Sequence, residues 1–129
     1  MKKEVIITKN APEPKGAYSQ AIKVGNLVFV SGQAAVDIKT GEFLEPGDIV
    51  KQTDITMKNI KAILEAAGSS IENVVKTTVF IDDIGKFKDF NSVYEKYFQV
   101  NPPARSTVEV ANFFEGMCIE IDAIAVVEE

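Results

Sequence analysis

The chain contains no histidine and no tryptophan, a single cysteine (Cys118), and a single arginine (Arg105) among fourteen basic residues. Each scarcity removes chemistry. Without histidine there is no Ser-His-Asp or Cys-His nucleophile system and no HExxH or histidine-rich zinc site. Proton transfer near neutral pH then falls to carboxylates, tyrosine, lysine, hydroxyls or bound water. One cysteine excludes an internal disulfide and any multi-cysteine zinc or iron–sulfur cluster, as expected of a reducing compartment. These gaps predict a protein that works without metal or redox cofactor.

What is present describes an ordinary soluble domain: 129 residues, 46% apolar and 26% charged, enough to bury a core unaided. The net charge of −5 and pI near 4.8 argue against general nucleic-acid binding, which uses a basic face. Lys2, Lys3, Lys9 and Lys15 lean basic, but they read as a solvated edge. The N-terminal residues lack a long apolar run, and no segment approaches the ~20 apolar residues of a membrane span. A cytoplasmic location is expected.

No repeat or low-complexity tract interrupts the chain, so residues 1–129 read as one domain. Glu4 to Thr8 is a short strand, and the two prolines of Asn10-Ala-Pro-Glu-Pro-Lys-Gly16 end it. Ser19 to Val24 and Leu27 to Ser31 are strands joined at Gly25-Asn26, a two-residue hairpin turn. Ile49 to Ala67 carries one apolar stripe at helical spacing, with Asp48 as N-cap and Gly68 as stop. Ile71 to Ile81 is a β-branched strand, and Phe87, Phe90, Tyr94, Tyr97 and Phe98 mark a second helix. Ser106 to Ala111 and Met117 to Val127 complete the order βββαβαββ. That order predicts an α+β fold, a mixed sheet with both helices on one face. The last strand is apolar on both alternating faces for most of its length, so the uncovered sheet face predicts self-association.

Few residues stand out for chemistry. A solitary arginine among lysines suggests a task for the planar bidentate fork, or a carboxylate partner that fixes a loop. Glu120 and Asp122 alternate with apolar neighbours and share one strand face, at a subunit contact, a solvent edge or a site that tunes their pKa. Ser31-Gly32-Gln33 is either a simple turn or a place where a ligand approaches backbone N–H groups; it is no phosphate loop, for no GxxxxGK[ST] follows. Tyr18 reads as half-buried packing, Asn91 as a polar helix position, and Cys118 as an inert core thiol.

Together with their neighbours these residues form a recognisable pattern. Gly16-Ala-Tyr-Ser-Gln-Ala21, Val30-Ser-Gly-Gln33, Phe90-Asn-Ser-Val-Tyr94, Pro103-Ala-Arg-Ser-Thr-Val-Glu-Val110 and Ile119-Glu-Ile-Asp-Ala-Ile-Ala125 resemble the reactive-intermediate deaminase family, the RidA/YjgF group. The resemblance runs from Ala11 to Val127 in order and spacing. It implies a chorismate-mutase-like fold and a homotrimer whose sheets form a central barrel with clefts between subunits. It also implies cofactor-independent hydrolysis of enamines and imines, such as 2-aminoacrylate and 2-iminobutanoate, to 2-oxo acids and ammonia. Such intermediates come from PLP-dependent dehydratases acting on serine and threonine.

By resemblance, Arg105 clamps the substrate carboxylate and Glu120 holds the attacking water. The Gly32 N–H, with Ser31 alongside, either stabilises developing negative charge or orients the substrate carboxylate; Tyr18 and Asn91 match family positions that line the cleft, and Thr107 one beside Arg105 that contacts the ligand. No metal is implied. Two positions depart from the common pattern: Thr107 stands where many members carry cysteine, and Ala17 where proline is common. Thiol-dependent reactivity therefore does not carry over, and Cys118, in another strand, does not replace it. The competing expectation is a small-ligand-binding regulatory or translation-inhibiting protein with ribonuclease-type activity, which the acidic pI and missing histidine disfavour.

Overall fold

In a computed structural model that describes residues 1–128, the expected order of elements is present. Strands β1 (Lys3–Ile6), β2 (Ala21–Val24) and β3 (Leu27–Gln33) precede helix α1 (Ile49–Ala66). Strand β4 (Val74–Ile81), helix α2 (Phe87–Tyr97), and strands β5 (Ala104–Glu109) and β6 (Ile119–Val126) follow. They build one six-stranded mixed sheet in the order β1-β2-β3-β6-β4-β5. Among the described residues only β4 and β5 run parallel, and α2 supplies the crossover that a parallel pair requires.

Local chemistry sets the element ends. Asp48 caps α1 through its side chain, which accepts from the Lys51 N–H at 3.1 Å. At the other end Gly68 takes φ +82°. Its N–H donates to the Glu65 carbonyl and that of Ser69 to Leu64, the paired bonds that satisfy a helix's last carbonyls. Gly25, at φ +59°, closes the β2–β3 hairpin.

Strand β6 reports the layering directly. Ile119, Ile121, Ala123 and Ala125 are buried, whereas Glu120, Asp122, Ile124 and Val126 are half-exposed. The first set packs under the helices with Met57, Ile60, Ile63, Leu64, Phe90 and Tyr94. The second set faces away, on a side that this chain leaves uncovered, beside the exposed Leu27 and Phe29 of β3. Both helices thus lie on one face, as the period-3.6 stripes predict.

Several boundaries move, each for a hydrogen-bonding reason. The first strand stops at Ile6 because Thr8 is taken by the side chain of buried Gln20: its N–H donates to Oε1 at 2.8 Å and its carbonyl accepts from Nε2 at 3.1 Å. The Gln20 Nε2 also reaches the carbonyls of Ala11 and Pro12, so Ser19-Gln20 ties down a loop before β2 begins at Ala21. Strand β3 runs past Ser31 to Gln33, with a register shift between Val30 and Gln33 against β6. Ile71–Asn73 forms a single 3-10 turn before β4. Finally, β5 begins at Ala104, directly after the two prolines, so that Arg105 itself lies in the ladder.

Candidate functional site

The bulge in β3 creates the first half of the site. It carries Ser31 and Gly32 past Glu120 of β6. A Cβ built on Gly32 would fall 2.5 Å from the Glu120 Oε2, so only glycine lets the carboxylate lie against this backbone. Burial, reinforced by the like charge of Asp122, pushes the Glu120 pKa above the ordinary carboxylate value. Glu120 and Gly32 belong to a cleft of about 370 Å³ that Lys15, Tyr18, Phe43 and Phe114 also line. Tyr18 is 53% exposed, and its hydroxyl accepts from the Lys15 N–H at 3.3 Å. Tyr18 is therefore cleft wall rather than packing. Ser31 sits beside Gly32 but donates its hydroxyl to the Ser19 carbonyl at 2.5 Å, which staples the Tyr18 segment to the bulge.

Arg105 occupies a different place. On β5 it pairs with Thr77, a buried residue of β4, and so points to the helix side. Its Nη1 donates to Asn91 Oδ1 of α2 at 2.9 Å. Its guanidinium carbon lies 4.8 Å from the Tyr94 ring centroid, 5.3 Å from Phe87 and 5.7 Å from Phe90. Three rings and an amide thus fix the guanidinium plane. Among the described residues no carboxylate lies within ion-pair distance of it, so the reading of Arg105 as half of a structural ion pair does not hold. Burial keeps the Tyr94 phenol protonated, and its oxygen lies 2.7 Å from the Thr77 Oγ1.

Thr107, two positions on along the same strand face, pairs with buried Val79. Its Oγ1 is buried without a hydrogen-bonding partner. Asn91, Arg105 and Thr107 therefore form one cluster; Tyr18, Ser31, Gly32 and Glu120 form another. The two lie on opposite faces of the sheet, and one chain does not bring them together.

Cys118 is buried, and burial raises its thiol pKa despite the Lys86 Nζ 4.0 Å from Sγ. That lysine, invisible as a neighbour in the sequence, is engaged with Asp82 at 3.0 Å. Among the described residues no three His, Cys, Asp or Glu side chains group to hold a metal, and no helix is long and apolar enough to cross a membrane.

Sequence reasoning missed two walls of the cleft and the buried residue that holds them. Phe43 and Phe114 meet in it as stacked rings, 6.3 Å between centroids. Gln52, fully buried on α1, binds both loops that carry them: Nε2 donates to the carbonyls of Leu44, Glu45 and Gly116, and Oε1 accepts from the Cys118 N–H. The available signal was a glutamine inside an apolar helical stripe, which must find partners when buried.

Two separated clusters that carry the arginine and the glutamate of one pattern set the terms for comparison with known proteins. Residues 8–127 match the family model described as endoribonuclease L-PSP. The chain belongs to this family. It is 53% identical over 123 residues to a RutC family protein of Pyrococcus horikoshii, covering 95% of this chain and 97% of that one. It is 46% identical over 124 residues to the 2-iminobutanoate/2-iminopropanoate deaminase of Rattus norvegicus, covering 96% and 90%. The solved structure of E. coli TdcF with bound serine superposes with a TM-score of 0.89 at 41% identity, covering 97% and 99%. The RidA-type resemblance read from the motifs is thus shown across the fold.

Proposed function

We propose that this protein is a hydrolytic deaminase of 2-imino acids, working at sites shared between copies of the chain in a homotrimer. The observation that carries the reading is the state of Arg105: a half-buried guanidinium held by rings and an amide, with no carboxylate among the described residues within ion-pair distance. Such a group is preorganised for a ligand carboxylate, which it would receive through two parallel hydrogen bonds. A relative named for 2-imino acid deamination and one crystallised with serine support the same ligand class, an α-carboxylate next to a nitrogen-bearing carbon.

A 2-imino acid clamped by Arg105 would meet Glu120 across the uncovered sheet face of a neighbouring copy. Glu120, ionised, takes a proton from water as the water oxygen bonds to the C=N carbon. The resulting carbinolamine collapses with cleavage of the C–N bond. Nitrogen leaves as ammonia after protonation by the same carboxyl, and the 2-oxo acid remains. Water and imine balance oxo acid and ammonia, so no oxidant or cofactor enters the reaction. Positioning does most of the work, because reactants held in place gain the advantage of intramolecularity. PLP-dependent dehydratases that release such imines are the functional partners.

The printed family description points to a second reading, RNA cleavage. Net charge −5 and the absence of histidine weigh against it. The deciding experiment couples the purified protein to a threonine dehydratase with semicarbazide as a competing trap. Faster 2-oxobutanoate formation, lost in Arg105→Ala, supports deamination; no acceleration overturns it. RNA degradation that survives Arg105→Ala and repeated purification would favour the second reading.

A further inference from the structure

We infer that Thr77 is a positioning residue for the reaction: its hydroxyl fixes the Tyr94 ring against Arg105 and so holds the guanidinium ready for a ligand carboxylate. The inference rests on the deaminase reading for the ligand and on the packing between β4, β5 and α2 for the geometry.

Four residues close a ring of contacts on the helix side of the sheet. Thr77 is the ladder partner of Arg105. Its Oγ1 lies 2.7 Å from the Tyr94 Oη. The Tyr94 ring centroid lies 4.8 Å from the guanidinium carbon of Arg105. Asn91, one turn before Tyr94 on α2, accepts from Arg105 Nη1 at 2.9 Å. Thr77 and Tyr94 are 1% and 4% exposed, so bulk water does not compete for either hydroxyl.

The residue types point to the hydroxyl rather than to bulk. The other buried positions of β4 are Val74, Val79 and Ile81, and valine at 77 would fill nearly the same space. Threonine there brings a buried hydroxyl that costs stability unless it is paired. Its partner is the ring nearest the guanidinium. Phe87 and Phe90 also flank Arg105, at 5.3 and 5.7 Å, but a phenylalanine ring has no polar atom by which to be anchored.

Burial keeps the Tyr94 phenol protonated, although the Thr77 hydroxyl and the Arg105 charge pull the other way. A guanidinium held by one hydrogen bond can still turn about that bond. An anchored ring against its face removes this freedom. A fork set beforehand loses less entropy when it takes a carboxylate through two parallel bonds. Thr77 touches no substrate; it acts through Tyr94.

The test reads the guanidinium as well as turnover. Arg105 is the chain's one arginine, so isotope-labelled arginine gives a single set of guanidinium resonances. Thr77→Val should speed rotation about Cζ–Nε about tenfold and raise KM for 2-iminobutanoate about tenfold. The carboxylate is held alike in substrate and transition state, so kcat should change less than about twofold. Thr77→Ser keeps the hydroxyl and should restore both values. Tyr94→Phe should act in the same direction if Thr77→Val fails to fold. The double variant leaves no hydroxyl unpaired and should be no worse than Thr77→Val. A KM raised by the product of the two single effects would show that the hydroxyls act separately, and overturns the inference. A Thr77→Val protein that melts lower yet keeps the wild-type KM or rotation rate also overturns it, and leaves the deaminase reading intact. If wild-type protein itself hydrolyses no imine, the deaminase reading fails, and the rotation rates alone decide whether Thr77 holds Arg105.

Discussion

Arg105 and Glu120 stand on opposite faces of one sheet. Arg105 pairs with Thr77 under the helices, and Glu120 pairs with Phe80 on the uncovered side. A side chain cannot pass through a hydrogen-bonded sheet, so a site that uses both groups needs two copies of the chain. Arg105→Ala and Glu120→Gln subunits, each inactive alone, should complement when co-assembled. In a cyclic trimer a random one-to-one mixture leaves about one quarter of the sites intact. Turnover of 2-iminobutanoate by the mixture is the measurement, and inactivity at every mixing ratio would refute shared sites.

Arg105→Lys keeps the charge and loses the fork. The ammonium cannot make two parallel bonds to a carboxylate or lie flat over Tyr94 and Phe87. A fall of about 10–100-fold in kcat/KM is expected from the loss of one charge-assisted hydrogen bond. Thermal unfolding should move little, because the position is half-exposed on an edge strand.

Glu120 predicts a pH profile. Burial and Asp122 raise its pKa above the ordinary 4.5, so activity that needs the carboxylate ionised should fall as pH drops through the raised value. Asp122→Asn removes the like charge, and the acid limb should move to lower pH. For stability the sign is opposite to that of a salt-bridged acid. The native state favours the protonated form, so this group's contribution is present at low pH and lost as pH rises through the raised value. Glu120→Gln should therefore melt at or above the wild-type Tm at pH 7, with the difference shrinking toward pH 4.

Gln52 predicts a structural effect. Gln52→Leu keeps the volume but strands the Gly116, Leu44 and Glu45 carbonyls and the Cys118 N–H. Leaving such groups unsatisfied costs about 1–3 kcal/mol each when they stay buried, enough to lower Tm by several degrees. Hydrogen exchange should speed up at Gly116–Cys118 before it does in α1.

Cys118 should resist thiol reagents in the folded protein at pH 8, for it is 1% exposed and its pKa is pushed up by burial. Stoichiometric labelling without denaturant would contradict its placement under Lys86.

The element order, both helix stripes, the Gly25-Asn26 turn and the alternation of Glu120 with Ile119 and Ile121 were legible in the residues, because each depends on local periodicity or on one residue's backbone preference. Gly32 was legible as a place of close approach, but not what approaches. That is Glu120, brought there by a bulge whose register only strand pairing sets. Strand ends moved where a side chain such as Gln20 replaced ladder hydrogen bonds, a choice made by tertiary neighbours.

The sequence by itself determined the inventory: one arginine, no histidine, acids on one strand face, and motifs that place the chain in its family. Those properties are carried by residue identity and spacing. Only the tertiary structure decided where the inventory goes. It put Arg105 over three rings with Asn91 instead of against a carboxylate, and it set Phe43 and Phe114 in contact through Gln52. It also separated Arg105 from Glu120 by the thickness of a sheet. Long-range pairing and packing decide such relations, and no local pattern in the chain records them.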